Sequence, residues 1–187
     1  MLDFDIGDRD VLVLSNYRSG STAFCDVVAR QYGLKDLGEP FHRLKNKKWY
    51  EQNKSAKNLV KVMTNQIDHP EFENLMASSF VIGLSRRDVL AQISSLYISD
   101  RRGIWNLENK IPTNYKITID RNRVQDVVSY VLDLRDRYER MRDRYDVQLE
   151  YEDIQDLLKQ SRYVINHKPQ NHQELLALIQ DILEKDI

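Results

Sequence analysis

The sequence predicts an α/β fold in which a mainly parallel central sheet is flanked by helices. Short apolar runs alternate along the chain with longer segments whose apolar residues recur every three or four positions. The runs are apolar throughout, which is typical of parallel strands that are covered on both faces. Strands that alternate with helices favour a layered α/β architecture. No linker rich in proline, glycine or serine interrupts the 187 residues, so a single domain over residues 1–187 is expected.

Each predicted element follows from a local pattern. The apolar runs predict strands at residues 11–15, 58–63, 80–85 and 147–151. The three-and-four spacing predicts helices at residues 22–32, 70–79, 87–99, 121–145 and 174–183. Gly33 is suited to end the first helix and Pro70 to begin the second. The segments 37–57 and 100–113 are expected to be irregular.

Composition excludes several classes of protein. With 28 basic against 29 acidic residues, the chain lacks the basic surplus of a general nucleic-acid coat, and no nucleic-acid partner is expected. Cys25 is the only cysteine, which excludes an internal disulfide and a cysteine-rich metal site and fits a reducing cytoplasm. The acidic N-terminus is unlike a signal peptide, and no apolar run approaches the ~20 residues that span a bilayer. A cytoplasmic protein without a membrane span is therefore expected.

The helix predicted at residues 121–145 carries an apolar stripe at heptad spacing. Its members are Val124, Val127, Val131, Leu134, Tyr138, Met141 and Tyr145. Such a stripe either packs into the core of a domain or forms the seam of a homodimer. Both interpretations remain open, and a homodimer through this helix is one hypothesis.

The turn between the first strand and the first helix has the composition of an anion site. In YRSGST, Gly20 lets the backbone approach a ligand closely, Arg18 supplies a fixed charge, and hydroxyl donors stand at Ser19, Ser21 and Thr22. The free N–H groups and the dipole of a first helical turn favour a phosphate-like anion there. The turn is not a nucleotide-hydrolase P-loop, because no lysine follows Gly20. A Ser/Thr-capped turn without a ligand is the alternative.

A second candidate anion site follows the predicted strand 80–85. Arg86 stands at the carboxyl end of that strand, and Ser94 comes two helical turns later. Ligands of open parallel sheets bind across the carboxyl ends of the strands, so Arg18 and Arg86 are expected along one edge. Two anion sites on one edge suit a nucleotide that carries phosphates at both ends. A solvated helix start is the alternative for Arg86.

The motifs at these positions resemble those of sulfotransferases that use 3′-phosphoadenosine 5′-phosphosulfate (PAPS), most closely the bacterial trehalose sulfotransferase-like group. YRSGSTAFCDVVA is similar to the 5′-phosphosulfate loop, and GLSRRDVLAQISSLY resembles the 3′-phosphate motif with its spaced arginine and serine. LGEPF, NLVKVMTNQ and LEYEDI resemble further segments of the family, and all the matches occur in the family's order. The resemblance spans about residues 11–154. Tyr17 stands where many members have proline, and Arg18 where many have lysine.

The resemblance implies a three-layer, P-loop-like sulfotransferase fold and sulfuryl transfer from PAPS to a hydroxyl group of a carbohydrate or small metabolite. The desulfated product would be adenosine 3′,5′-bisphosphate (PAP), and no metal is required. The cofactor contacts that it implies are Arg18, Ser19, Gly20, Ser21, Thr22, Arg86 and Ser94. Arg18 would also stabilise the charge that grows on the leaving oxygen.

The acceptor hydroxyl needs a general base, and the resemblance implies Glu39 of the LGEPF segment. His42 is the rival, because histidine titrates near neutral pH without tuning. Lys61 lies within an apolar strand and either faces the sulfuryl group or reaches out of the sheet's edge. The roles of Trp105 and Lys168 are left open.

Two other functions are compatible with a nucleotide site. A small-molecule kinase would bind ATP with magnesium, but the sequence lacks the Gly-Lys-Ser/Thr motif and a clear acidic magnesium site. A non-catalytic nucleotide-binding module would bind the cofactor without turnover and act through the long helix.

Overall fold

The computed structural model describes residues 2–42, 57–103, 114–161, 163 and 168–185. Trp105 and most of the two segments predicted to be irregular lie outside these residues. The chain divides into two compact units, Met1–Arg87 with Leu134–Arg162 and Asp88–Asp133 with Tyr163–Ile187. The single domain over residues 1–187 stays a prediction.

The first unit contains a parallel sheet whose order is β2-β3-β1-β4-β5. Its strands are β1 Asp10–Ser15, β2 Lys35–Asp36, β3 Asn58–Met63, β4 Ser79–Ser85 and β5 Val147–Glu150. The predicted α/β class and the mainly parallel sheet are confirmed, and the four predicted strands are present. The edge strand β2 was not predicted, because its two residues are exposed and polar and give no apolar pattern.

The central strand β1 packs apolar side chains on both faces. Val11 and Val13 join the core cluster that contains Phe24 of the first helix, whereas Leu12 and Leu14 join the cluster on the other face. Side chains alternate between the two faces of a strand, so a strand with a helix on each side must be apolar at every position. This arrangement explains the continuous apolar runs in the sequence.

The helices of the described chain are α1 Ser21–Tyr32, α2 Phe72–Ser78, α3 Val89–Arg102, α4 Arg121–Arg140, α5 Gln155–Leu158 and α6 His172–Lys185. Residues 100–102 belong to α3, so the prediction that they are irregular is wrong. The helix α4 ends before the predicted residue 145. The Tyr145 hydroxyl donates a hydrogen bond to the Tyr138 carbonyl at 2.8 Å and thereby satisfies a carbonyl of the last helical turn.

The second unit is built around α3 and α6, which pack against each other. Asp88 caps the start of α3 by accepting a hydrogen bond from the Ala91 N–H group at 2.8 Å. The buried Tyr97 hydroxyl donates to the Thr118 carbonyl and accepts from the Asp120 N–H group. This tyrosine therefore ties α3 to the segment that leads into α4.

The heptad stripe on α4 is buried. Five of its members lie within the helix, and each is at most 6% exposed. They are Val124, Val127, Val131, Leu134 and Tyr138. Core packing, one of the two interpretations of the stripe, is therefore what the structure shows. A homodimer through the helix stays a prediction, and it would have to use other side chains of α4.

Within the part of the chain that the structure describes, no helix combines the length and the apolar character that crossing a membrane requires.

We expect Gly83→Ala to destabilise the protein, because Tyr138 of α4 and Tyr145, which follows the helix, fill the space beside β4. A Cβ atom at Gly83 would lie 2.4 Å from Tyr145 Cδ2 and 2.7 Å from the Tyr138 hydroxyl oxygen. Overpacking of this kind costs about 1–3 kcal/mol, which urea denaturation would measure. In a Tyr145→Ala background the same change should cost less, since the ring is gone. Equal costs in both backgrounds would contradict the steric explanation.

Candidate anion site

The candidate site lies where β1 ends. β1 pairs with β3 on one side and with β4 on the other, so the crossover connections diverge from this strand. Ligands of open parallel sheets bind in the crevice that such a divergence opens at the carboxyl ends of the strands. The turn from residue 16 to residue 20 occupies this position and leads directly into α1.

The turn is held in an unusual backbone conformation. Arg18 has a φ of 61°, and it is the one residue other than glycine with a positive φ in the described chain. The Ser19 hydroxyl donates to the Asn16 carbonyl at 2.8 Å, and the Thr64 hydroxyl donates to Asn16 Oδ1 at 2.6 Å. Such backbone strain costs about 1–3 kcal/mol and is concentrated at functional sites. These bonds fix a conformation that Arg18 would not adopt by itself.

Gly20 is required for a reason that differs in part from the predicted one. Its φ of 78° is in the left-handed region, as expected for a turn glycine. A Cβ atom there would lie 2.6 Å from Tyr151 Cδ2 and 3.0 Å from Leu158 Cδ1. On this side of Gly20 the close neighbour is thus Tyr151, whereas the sequence predicted room for a ligand.

The first turn of α1 has no side-chain cap. Gly20 is the N-cap residue, and no side-chain cap is formed within the described part of the chain. The Ser/Thr-capped turn, the alternative drawn from the sequence, is therefore not formed. The buried Ser21 and the neighbouring Thr22 begin the helix beside the backbone N–H groups of its first turn.

Arg86 joins Arg18 at this turn. From the end of β4, Arg86 Nη1 donates to the Arg18 carbonyl at 3.2 Å. Burial, followed by the positive charge of Arg86, lowers the pKa of Arg18 from its usual value. Arg135 of α4 donates to the Arg86 carbonyl. The structure thus brings Arg86 to the turn that carries Arg18, close enough for its charge to act on the Arg18 side chain.

The segment after β5 lies against Arg86. The Tyr151 ring faces the guanidinium, with 4.7 Å between the ring centroid and Arg86 Cζ. Glu152 Oε2 accepts a hydrogen bond from the Arg87 N–H group at 2.9 Å, and its Oε1 lies 3.9 Å from Arg86 Nε. The LEYEDI motif therefore contacts both Gly20 and Arg86, which are distant from it in the sequence.

Lys61 connects Glu39 to the turn. Its side chain is only 10% exposed, and Nζ donates to Thr22 Oγ1 at 2.8 Å while it pairs with Glu39 Oε1 at 2.9 Å. The Lys61 N–H group also donates to the Gly38 carbonyl at 2.8 Å, which fixes the loop that carries Glu39. The sequence singled out Lys61 as a charged residue within an apolar strand, but it predicted neither of these two side-chain contacts. The structure thus brings Glu39 and Lys61 to the start of α1.

His42 lines an open pocket with a volume of ≈ 520 Å³. The other lining residues are Tyr17, Phe41, Asn65, Gln66 and His69. Phe41 stacks on His69 with 4.1 Å between the ring centroids, and Asn65 Nδ2 donates to the Tyr17 hydroxyl at 3.2 Å. Sequence reasoning missed His69, because no motif distinguishes it before folding brings it to Phe41.

Ser94 belongs to the second unit. Its hydroxyl is buried, donates to the Ala91 carbonyl at 3.2 Å, and lies 3.4 Å from His172 Nε2. Burial, with a smaller effect of the Lys168 charge, lowers the pKa of His172. A shared role of Ser94 with Arg86 stays a prediction.

No protein-family model matches this chain, and no curated protein is significantly similar to it. Among the residues that the structure describes, no three or more histidine, cysteine, aspartate or glutamate side chains are grouped as metal ligands would be.

Proposed function

We propose that this chain is a PAPS-dependent sulfotransferase that transfers a sulfuryl group to the hydroxyl of a carbohydrate or small metabolite. The observation that carries the proposal is the contact between Arg18 and Arg86 at the uncapped start of α1. The motif resemblance supplies the identity of the anion. The finer three-layer, P-loop-like sulfotransferase fold is part of the proposal, and the parallel sheet with helices on both faces is compatible with it.

Two neighbouring guanidinium groups favour an anionic ligand. Their mutual repulsion opposes keeping both charged in a partly buried site, and a phosphate or sulfate group between them would relieve it. Arginine suits this role because its donors match the oxygens of such groups and it stays charged. The free N–H groups of the first turn of α1 add donors for the same anion.

The same groups suit sulfuryl transfer. By analogy with phosphoryl transfer, negative charge grows on the oxygen that leaves with the phosphate. Arg18 and the first-turn N–H groups would stabilise this oxygen. Lys61, which already bonds to Thr22 at 2.8 Å, adds a third cation beside the start of α1.

Glu39 is the proposed general base. Its carboxylate reaches the turn through Lys61, which contacts Oε1, so Oε2 would take the acceptor proton. His42 belongs instead to the pocket beside Tyr17. This pocket would hold the acceptor, with its hydroxyl group directed towards Glu39.

We expect PAP to stabilise the protein without magnesium, and AMP to do so much less. Ligand binding to the folded state raises the free energy of unfolding by ~2.7 kcal/mol at a hundredfold excess over Kd. A thermal-shift comparison of PAP, PAPS, AMP and ATP with magnesium would measure this. Equal shifts with PAP and AMP would contradict a 3′-phosphate site, and a magnesium-dependent ATP shift would favour the kinase alternative.

Arg86→Ala should weaken PAP binding more than Ser94→Ala. A hydrogen bond from a charged group contributes roughly 1.5–3 kcal/mol, against about 1 kcal/mol for a neutral one. Titration calorimetry would measure both affinities. Arg87→Ala is the matched control, because Arg87 is 60% exposed and pairs with Asp153. Arg86 has no role in cofactor binding if folded Arg86→Ala protein keeps the wild-type affinity.

Glu39→Gln should keep PAP affinity but lower the transfer rate by ~10² or more, because the amide cannot accept a proton. His42→Asn should affect the rate less. Single-turnover transfer from PAPS to an acceptor, or slow hydrolysis of PAPS as a substitute, would measure the chemical step. A larger rate loss in His42→Asn than in Glu39→Gln would exchange the two roles.

A further inference from the structure

One hydrogen-bond donor of Arg86 is unpaired among the residues that the structure describes. Within the described residues, Arg86 Nε is buried and has no hydrogen-bond partner. The same side chain is otherwise well held, since Nη1 donates to the Arg18 carbonyl and the Tyr151 ring faces Cζ. Buried donors are nearly always paired in native structures, so an unpaired one calls for an explanation.

Glu152 stands beside this donor without bonding to it. The 3.9 Å between Glu152 Oε1 and Arg86 Nε exceeds the length of a hydrogen bond. The carboxylate does not move closer because Oε2 is held by the Arg87 N–H group at 2.9 Å. Flanking contacts fix the segment further, since Ser85 donates to Glu150 at 2.7 Å and Arg87 pairs with Asp153.

We propose that Glu152 is a built-in counter-anion that lowers the affinity of the Arg18–Arg86 site for phosphate-type ligands. A ligand oxygen that reaches Arg86 Nε also approaches Glu152 Oε1, and the two negative charges repel. Without a ligand, the same carboxylate partly neutralises the charge of the Arg86 guanidinium. The inference rests on the anion site of the proposed function and is independent of sulfuryl transfer.

A residue with this role would act mainly on release of the ligand. Two arginines and a helix start would otherwise hold a phosphate group strongly, and affinity differences between related complexes arise mostly in the dissociation rate. Glu152 is 24% exposed on its side chain, so its charge is only partly screened by solvent. The carboxylate therefore favours exchange of the bound anion.

Glu152→Gln tests the proposal, because the amide removes the charge while its oxygen can still accept from the Arg87 N–H group. We expect PAP and inorganic phosphate to bind about tenfold more tightly to this variant in calorimetry, as expected for the loss of a unit charge within a few ångströms. Asp153→Asn is the matched control, since it makes the same change in net charge at a 64% exposed carboxylate. Its affinity should stay within about twofold of wild type.

Unchanged or weaker binding by folded Glu152→Gln protein would overturn the proposal, as would a gain of equal size in Asp153→Asn. Absence of phosphate and PAP binding in both wild type and variant would also overturn it. If Glu152→Gln does not fold, Glu152→Ala should show the same tighter binding.

Tighter phosphate binding without discrimination between PAP and AMP would support the counter-anion and refute the proposed cofactor. If the protein binds PAP selectively and Glu152→Gln does not change the affinity, the result would support the proposed cofactor and refute the counter-anion.

Discussion

The register of β1 with its two neighbours is the constraint on which the candidate site depends. Ser15, the last residue of β1, pairs with Met63 of β3 and with Leu84 of β4. Because parallel strands run in one direction, the three chain segments leave the sheet at one level. Arg18 and Arg86 meet there although 67 residues separate them in the sequence. A shift of either partner strand by one residue would turn its side chains to the opposite face and separate these groups.

The positive side chains near the end of β1 differ in how closely they are paired with carboxylates. Lys61 has Glu39 as a partner at 2.9 Å, within hydrogen-bond distance. Within the described residues, Arg86 Nε is 3.9 Å from Glu152 Oε1 and has no hydrogen-bond partner. Burial and the Arg86 charge lower the pKa of Arg18. The two sides of the turn thus differ, because Lys61 has a carboxylate within hydrogen-bond distance whereas Arg86 Nε is 3.9 Å from Glu152 Oε1. An anionic ligand would complete the second side without disturbing the first.

The sequence predicts the elements better than their contacts. Apolar runs identify β1, β3, β4 and β5 because strands covered on both faces must be apolar, whereas β2 has two exposed residues and no such pattern. The end of α4 was misplaced because Tyr145 satisfies a helix carbonyl from outside the helix. Heptad spacing continues past the last helical residue, so periodicity alone cannot locate this end.

The same distinction applies to the candidate site, whose residues were easier to predict from the sequence than their contacts. Local chemistry indicated Arg18, Gly20 and the hydroxyls of the turn, since a strand, a glycine turn and a helix follow one another in the chain. It could not indicate that Tyr151 fills the space beside Gly20, because that contact depends on how β5 joins the sheet. The sequence assigned Gly20 to unusual backbone angles and to close ligand approach, and the structure shows the first of these. The structure assigns it to the left-handed turn and to Tyr151, so an anion would reach the helix start from another side.

Glu39 and His42 show how a short turn separates two candidate roles. The His42 N–H group donates to the Glu39 carbonyl at 3.3 Å, which makes a tight turn of the LGEPFH segment. The Glu39 carboxylate consequently contacts Lys61, whereas His42 lines the pocket with Phe41 and Tyr17. From the sequence the two residues were rivals for the role of general base, Glu39 by resemblance and His42 because histidine titrates near neutral pH. Their directions in the folded chain differ, and the proposed division of roles, proton removal for Glu39 and acceptor contact for His42, rests on this difference.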